Sequence, residues 1–195
     1  MRTAKTVLTV IQERGKQKKP IERVYKLLFN RELYLNAYAK LYPNNGAMTK
    51  GVTDETVDGM SIQKIDRMIE ILREEKYQWK PARREYIKKK NGKKRPLGIP
   101  VWGDKVLQEV MRQILEAYYE PQFSEHSHGF RPNRGCHTAL QEIQVWKGTR
   151  WFIEGDISQY FDTIDHKILL EILARNIHDG RFIRLISNML EAGYL

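Results

Sequence analysis

The sequence predicts an α+β protein that is mostly helical, and three features carry that prediction. Apolar residues recur at helical spacing along most of its 195 residues; Ile62, Ile65, Met68, Ile69 and Leu72, for example, share one face. Asn91-Gly92 stands between two strand-like runs, the strongest short-range signal for a hairpin. Residues 151–157 alternate as a strand does, with Trp151, Ile153, Gly155 and Ile157 on one face and Phe152, Glu154 and Asp156 on the other.

Taken in order, residues 3–14 read as a short amphipathic helix, broken at Gly15 and the run Lys16 to Lys19. Pro20 sits where a helix begins. Val24, Tyr25, Leu27, Leu28, Leu33, Leu35 and Leu41 then support one or two helices, ended by Pro43 to Gly46. Residues 47–59 have no clear period and read as a loop, in which Gly51 to Glu55 either contacts a partner or simply connects. Ser61 caps the next helix. The hairpin runs from Tyr86 to Ile99, and Pro96 makes its second strand an edge or a strand end. Pro100 and Asp104 lead into a helix with a broad apolar stripe from Val106 to Tyr119, closed by Pro121. The polar loop Ser124 to His137 runs into a helix with Ala139, Leu140, Ile143 and Trp146, for which Asn133 is the N-cap. Asp165 caps a helix over 166–175, and a last helix over 181–192 ends at Gly193.

The chain is long enough to bury a real core, and nothing in it approaches a membrane span. The apolar run Val7 to Ile11 is short and lacks a small-residue cleavage site, so it belongs to a helix rather than a signal peptide. The lone Cys136 makes no intrachain disulfide, which fits a cytoplasmic location. Net charge is +10, and its distribution is uneven. Nine basic residues fall between Lys80 and Arg95 against Glu85 alone, whereas from Trp151 onward seven acids face four bases. A basic front half joined to an acidic strand end points to a polyanion held against divalent cations.

Two clusters bear on chemistry. Asp156 closes the predicted strand just before the aromatic turn Tyr160-Phe161, a common way to present an oxygen ligand to a metal, although a strand-end Asp is most simply a turn former. His126, His128, Cys136 and His137 invite a zinc proposal, but no pair has zinc-finger spacing. Arg131 and Arg134 beside a helix N-terminus are instead placed to bind phosphate.

Four stretches in a fixed order cover nearly the whole chain: Leu33 to Tyr38 with Gly46 to Asp54, Lys88 to Pro100, His126 to Leu140, and Glu154 to His166. With them the chain resembles the N-terminal part of a group II intron-encoded reverse transcriptase, or maturase. The resemblance implies reverse-transcriptase fingers, made of helices and a β-hairpin, with an incomplete right-hand palm. Residues 1–80 would be a helical extension of the fingers, 81–150 the fingers, and 151–195 a partial palm. Asp156 matches the first metal-binding aspartate, with the Ile157 carbonyl as a second Mg²⁺ ligand. Phe161 matches the steric gate that selects dNTPs, and Lys89 and Arg95 match the residues that hold the incoming triphosphate. Arg131 would contact template or nucleotide, and Arg134, Lys88, Lys90, Lys93, Lys94, Arg83 and Arg84 complete the nucleic-acid-binding set. The implied partners are intron RNA, an RNA template with a DNA primer, and dNTP.

Two tensions follow. A two-residue Asn91-Gly92 loop would set Lys89 and Arg95 on opposite faces, so shared work on one triphosphate requires an odd-length connection or early fraying. The two further carboxylates that a polymerase needs are also missing, since no Asp-Asp pair follows Asp156. The chain is therefore expected to bind nucleic acid without polymerising alone. The strand at 151–157 would lack sheet neighbours, which predicts self-association as a homodimer or a rearranged C-terminal third. The competing reading is a non-catalytic RNA-binding splicing module. Retron, diversity-generating and CRISPR-associated reverse transcriptases are the nearest enzymatic alternatives.

Overall fold

The computed structural model describes residues 2–88, 92 and 94–195, with residue 162 described for its backbone alone. Its centre is the longest helix, α4 (Trp102–Tyr119), whose Val106, Leu107, Val110, Met111, Ile114 and Tyr118 are all buried. Around it lie α1 (Ala4–Lys16), α2 (Arg31–Leu41) and α3 (Ile62–Arg73). Burying side chains of this size contributes about 1.5–3 kcal/mol each, so α4 is the organising element of the core.

Caps follow the sequence closely where polar side chains stand before apolar runs. Ser61 Oγ accepts from the Lys64 amide, and Asp165 accepts from the Lys167 and Ile168 amides at 2.8 and 3.1 Å. Two expectations near the N-terminus need correction. Gly15 does not break its helix, which runs on to Lys16. It is there for close approach: a Cβ at this position would come within 2.1 Å of the Tyr118 carbonyl oxygen of α4. Pro20 does not start a helix either. It precedes β1 (Ile21–Glu22), which pairs in parallel with β4 (Ile177–His178), and a 3₁₀ turn over Val24–Phe29 follows. Ile21 is fully buried by that pairing, and this outweighs the helical preference of its neighbours.

The hairpin is β2 (Arg83–Lys88) with β3 (Lys94–Ile99), antiparallel, with Arg83 opposite Ile99 and Lys88 opposite Lys94. Beyond α4 come α5 (Cys136–Gln144), α6 (Tyr160–Thr163), α7 (His166–Ala174) and α8 (Gly180–Glu191). The N-cap of α5 is Gly135 rather than Asn133, because Asn133 sits in the left-handed region (φ 58°) inside the preceding turn. Positive φ at Gly193 (65°) ends α8 as expected.

The predicted strand at 151–157 does not form. These residues have no regular structure, and Trp151, Phe152, Ile153 and Ile157 are 87%, 70%, 93% and 68% exposed. A strand exists only with neighbours to take its backbone hydrogen bonds, and no described strand lies alongside. Among the described residues no helix is long and apolar enough to cross a membrane.

Candidate nucleic-acid and nucleotide interface

The basic ribbon has a fixed root and an exposed outer part. At the root, Asp104 in the first turn of α4 is buried, and it accepts from the Tyr77 hydroxyl at 2.6 Å and the Lys80 amide at 3.0 Å. Burial pushes the Asp104 carboxyl up, with the two donors and the Lys80 charge opposing it; burial and the neighbouring carboxylate likewise push the Tyr77 phenol up. Trp79 Nε1 donates to the Leu185 carbonyl of α8 at 3.0 Å. Arg83 Nε donates to the Lys50 carbonyl at 3.0 Å and its guanidinium also holds Glu85. Gly51 lies so close to Pro100 and Val101 that a Cβ would sit 2.8–2.9 Å from their backbone. The loop 47–59 is thus a wedge under the hairpin.

Farther out, Lys88, Lys94 and Arg95 are exposed. Lys89, Lys90 and Lys93 lie outside the described residues. The register answers the question of loop parity: Lys88 pairs with Lys94, and Ile87 with Arg95. An odd number of residues therefore connects the last described pair, and Gly92 has φ 78°. Arg95 shares its face with Ile87 rather than with Lys88. An odd connection of this kind, not a two-residue turn, is what joint work with residue 89 requires.

Lys105 lies just below the ribbon, where it donates to the Thr49 carbonyl at 3.1 Å. Burial, together with the nearby Arg83 charge, holds its ammonium pKa below the usual lysine range. An apolar groove of about 1000 Å³ continues along α4 from there, past Leu115, Phe123 and Phe130 to Leu169, Leu173 and Met189.

The loop after α4 uses its cations internally. The Arg131 side chain is only 6% exposed and makes a two-pronged contact with the Glu120 carboxylate, Nε at 3.0 Å and Nη2 at 2.9 Å. Its Nη1 also donates to the Ser124 and Ser127 carbonyls at 2.6 and 2.9 Å. Arg134 is bound to Glu125. As placed here, both arginines shape the loop. Glu120, eleven residues upstream of Arg131, carries no sequence signal that would have named it as the partner. His126 and His128 meet at Glu142, with His128 Nε2 at 2.8 Å, and His128 Nδ1 lies 2.8 Å from Thr138 Oγ1. The hydrogen bonds from His128 and His126 hold the Glu142 carboxyl below its usual range. Fixed on both sides, the loop leaves Phe130 fully exposed with left-handed backbone (φ 56°).

Asp156 is exposed, and Phe161 is 83% exposed in α6 with its ring edge-on to Tyr160 at 5.4 Å. Among the described residues no hydrogen bond or ion pair joins Asp156 or Phe161 to the hairpin, and no three His, Cys, Asp or Glu side chains converge on a metal position. The donor set therefore fits a magnesium ion in kind, one carboxylate and one carbonyl, but not in number.

Comparison with known proteins gives these pieces a context. The profile of the reverse transcriptase (RNA-dependent DNA polymerase) family matches residues 87–193. Group II intron-encoded protein LtrA of Lactococcus lactis subsp. cremoris is 50% identical over 175 residues, 89% of this chain and 29% of LtrA. An uncharacterized 91 kDa protein in the cob intron of Schizosaccharomyces pombe is 47% identical over 200 residues, 98% of this chain and 25% of that protein. Nuclear intron maturase 1, mitochondrial, of Arabidopsis thaliana is 37% identical over 93 residues, 47% of this chain and 13% of the maturase. The chain spans under a third of the length of each of these relatives. It belongs to the reverse transcriptase (RNA-dependent DNA polymerase) family, and its likeness within that family runs to proteins encoded by group II introns.

Proposed function

We propose that this chain is the RNA- and nucleotide-holding front of an RNA-directed DNA polymerase of the group II intron type. Residues 1–80 serve as a helical extension, 81–150 as fingers and 151–195 as the first part of a palm. The observation that supports this reading most is the hairpin: a rooted ribbon with exposed Lys88, Lys94 and Arg95 and an odd-length connection. A bidentate guanidinium at Arg95 and an ammonium at Lys89 then act on one triphosphate. Lys88, Lys90, Lys93 and Lys94 hold the RNA backbone, and Arg131 and Arg134 keep the adjacent loop in shape for it. Phe161 gates the sugar. Asp156 and the Ile157 carbonyl supply one side of a Mg²⁺ site, the remaining carboxylates coming from outside these residues. When bound, such an ion lowers the pKa of a primer hydroxyl and offsets triphosphate charge. The exposed stretch 151–161 makes the isolated chain self-associate.

Binding assays on the purified chain test this. RNA binding is expected to weaken steeply with salt, and Lys88→Glu with Lys94→Glu should cost at least about tenfold at low salt. A dNTP should bind, and Arg95→Ala should weaken it. Primer extension with Mg²⁺ by this chain alone would contradict the incomplete metal site. RNA binding without any dNTP affinity would favour the splicing-module reading instead.

A further inference from the structure

The outer edge of β2 is not bare at its root. Residues 193–195, just past α8, lie against it in parallel: the Ala82 amide donates to the Gly193 carbonyl at 2.9 Å, the Leu195 amide to the Ala82 carbonyl at 2.9 Å, and the Arg84 amide to the Leu195 carbonyl at 2.7 Å. Across this junction the Arg84 guanidinium stacks on the Tyr194 ring, 3.7 Å from its centroid, with the Tyr86 ring 5.8 Å away on its own strand. The stack is tight for a cation on an aromatic face. Tyr194 is 60% exposed, so burial does not account for its placement.

We infer that Tyr194 and Arg84 form a latch that sets the angle of the hairpin, and that both are positioning residues for the triphosphate contact rather than nucleic-acid ligands. The inference rests on the nucleotide-holding role proposed above. Its mechanical basis is independent of that role. Strands β2 and β3 form one ladder from Arg83–Ile99 to Lys88–Lys94, so a tilt at Arg84 is carried outward to Arg95. Lys88 is four residue steps along the strand from Arg84, roughly 13 Å at the usual strand rise, and a lever of that length turns a small rotation at the root into a displacement of ångströms at the tip. Of the other root contacts, Asp104 with Lys80 and Trp79 with Leu185 hold the residues before β2, and Arg83 with the Lys50 carbonyl holds only its first residue. The reach of the latch explains why a guanidinium inside a basic ribbon is turned sideways onto a ring.

The test compares Tyr194→Ala, Tyr194→Phe and Arg84→Gln in the intact chain, by amide hydrogen exchange and by equilibrium binding of dATP with Mg²⁺. Tyr194→Ala and Arg84→Gln should speed exchange at the Ala82 and Arg84 amides at least tenfold, leave the α4 amides unchanged, and weaken dATP several-fold. Tyr194→Phe keeps the ring and should behave as wild type. Unchanged exchange and affinity in Tyr194→Ala, or an equal loss in Tyr194→Phe, overturns the latch. So does loss of α4 protection together with β2 in both Tyr194→Ala and Arg84→Gln, which would make the contact part of the fold. Failure of wild type to bind dATP would remove the nucleotide-holding reading, and the exchange rates would still decide for or against the latch.

Discussion

The stretch 145–161 is rich in β-branched and aromatic residues and the hairpin root is not, yet only the hairpin became a sheet. The root is held from several directions: Asp104 from α4, Leu185 from α8, Lys50 and Gly51 from the loop beneath, and residues 193–195 along its edge. The other stretch carries Val145, Trp146, Trp151, Phe152 and Ile153 into solvent, all more than half exposed. Alternating side chains specify which face a strand would bury, but backbone partners decide whether it exists. Pattern is a statement about surfaces, and pairing is a statement about neighbours.

That contrast can be broken at several points. The largest effect is expected from Leu107→Ala in α4, a fully buried site, at about 2–5 kcal/mol of unfolding free energy in a denaturant titration. Gly15→Ala comes next. In an exposed helix interior this change stabilises by several tenths to about 1 kcal/mol; here a Cβ meets the Tyr118 carbonyl, so the sign should reverse to a loss of about 1–3 kcal/mol. Removing the partner of a buried charge, by Glu120→Gln, should cost about 1–3 kcal/mol and expose residues 124–135 to proteolysis.

A pH titration sharpens the same contrast. Burial works against ionised Glu109, but Arg112 and Lys40 outweigh it and hold the carboxyl below its usual range. A depressed carboxylate adds stability above its unfolded pKa, and that stability is lost as pH falls through the folded value. Asp104 is raised, so its share runs the other way and declines as pH climbs through the folded value. Glu109→Gln should therefore flatten the acid limb of the melting-temperature profile, and Asp104→Asn the limb just above it. The smallest effect belongs to the exposed stretch: Ile153→Asp should shift stability by no more than about 0.5 kcal/mol while reducing light-scattering signs of self-association. A cost above 1 kcal/mol would mean that this region is held after all.

Much of this was legible in advance because the controlling interactions are local. Ser61 and Asp165 cap the helices that their positions announce, the stripe on α4 is buried as its period requires, and the runs on either side of the predicted turn pair as a hairpin, Lys88 opposite Lys94. What was hidden depends on contacts distant in sequence. Gly15 reads as a breaker until Tyr118 is seen against it, and Pro20 as a helix start until Ile177 claims Ile21. Within the candidate site, the exposure of Lys88, Lys94 and Arg95 followed from composition. The inward turn of Arg131 toward Glu120 and the stacking of Arg84 on Tyr194 did not, since charge alone does not say where a guanidinium points.

The short parallel ladder between β1 and β4 has a consequence for how the protein is made. Ile21 donates its amide to the Asn176 carbonyl at 2.8 Å, and Tyr25 donates to the Asp179 carboxylate at 2.9 Å. On a ribosome, where residues emerge at roughly 5–20 per second, the first two dozen residues must wait on the order of ten seconds for these partners to be synthesised. Until then the segment around Ile21 and Tyr25 lacks these partners, and its apolar side chains stay open to a chaperone.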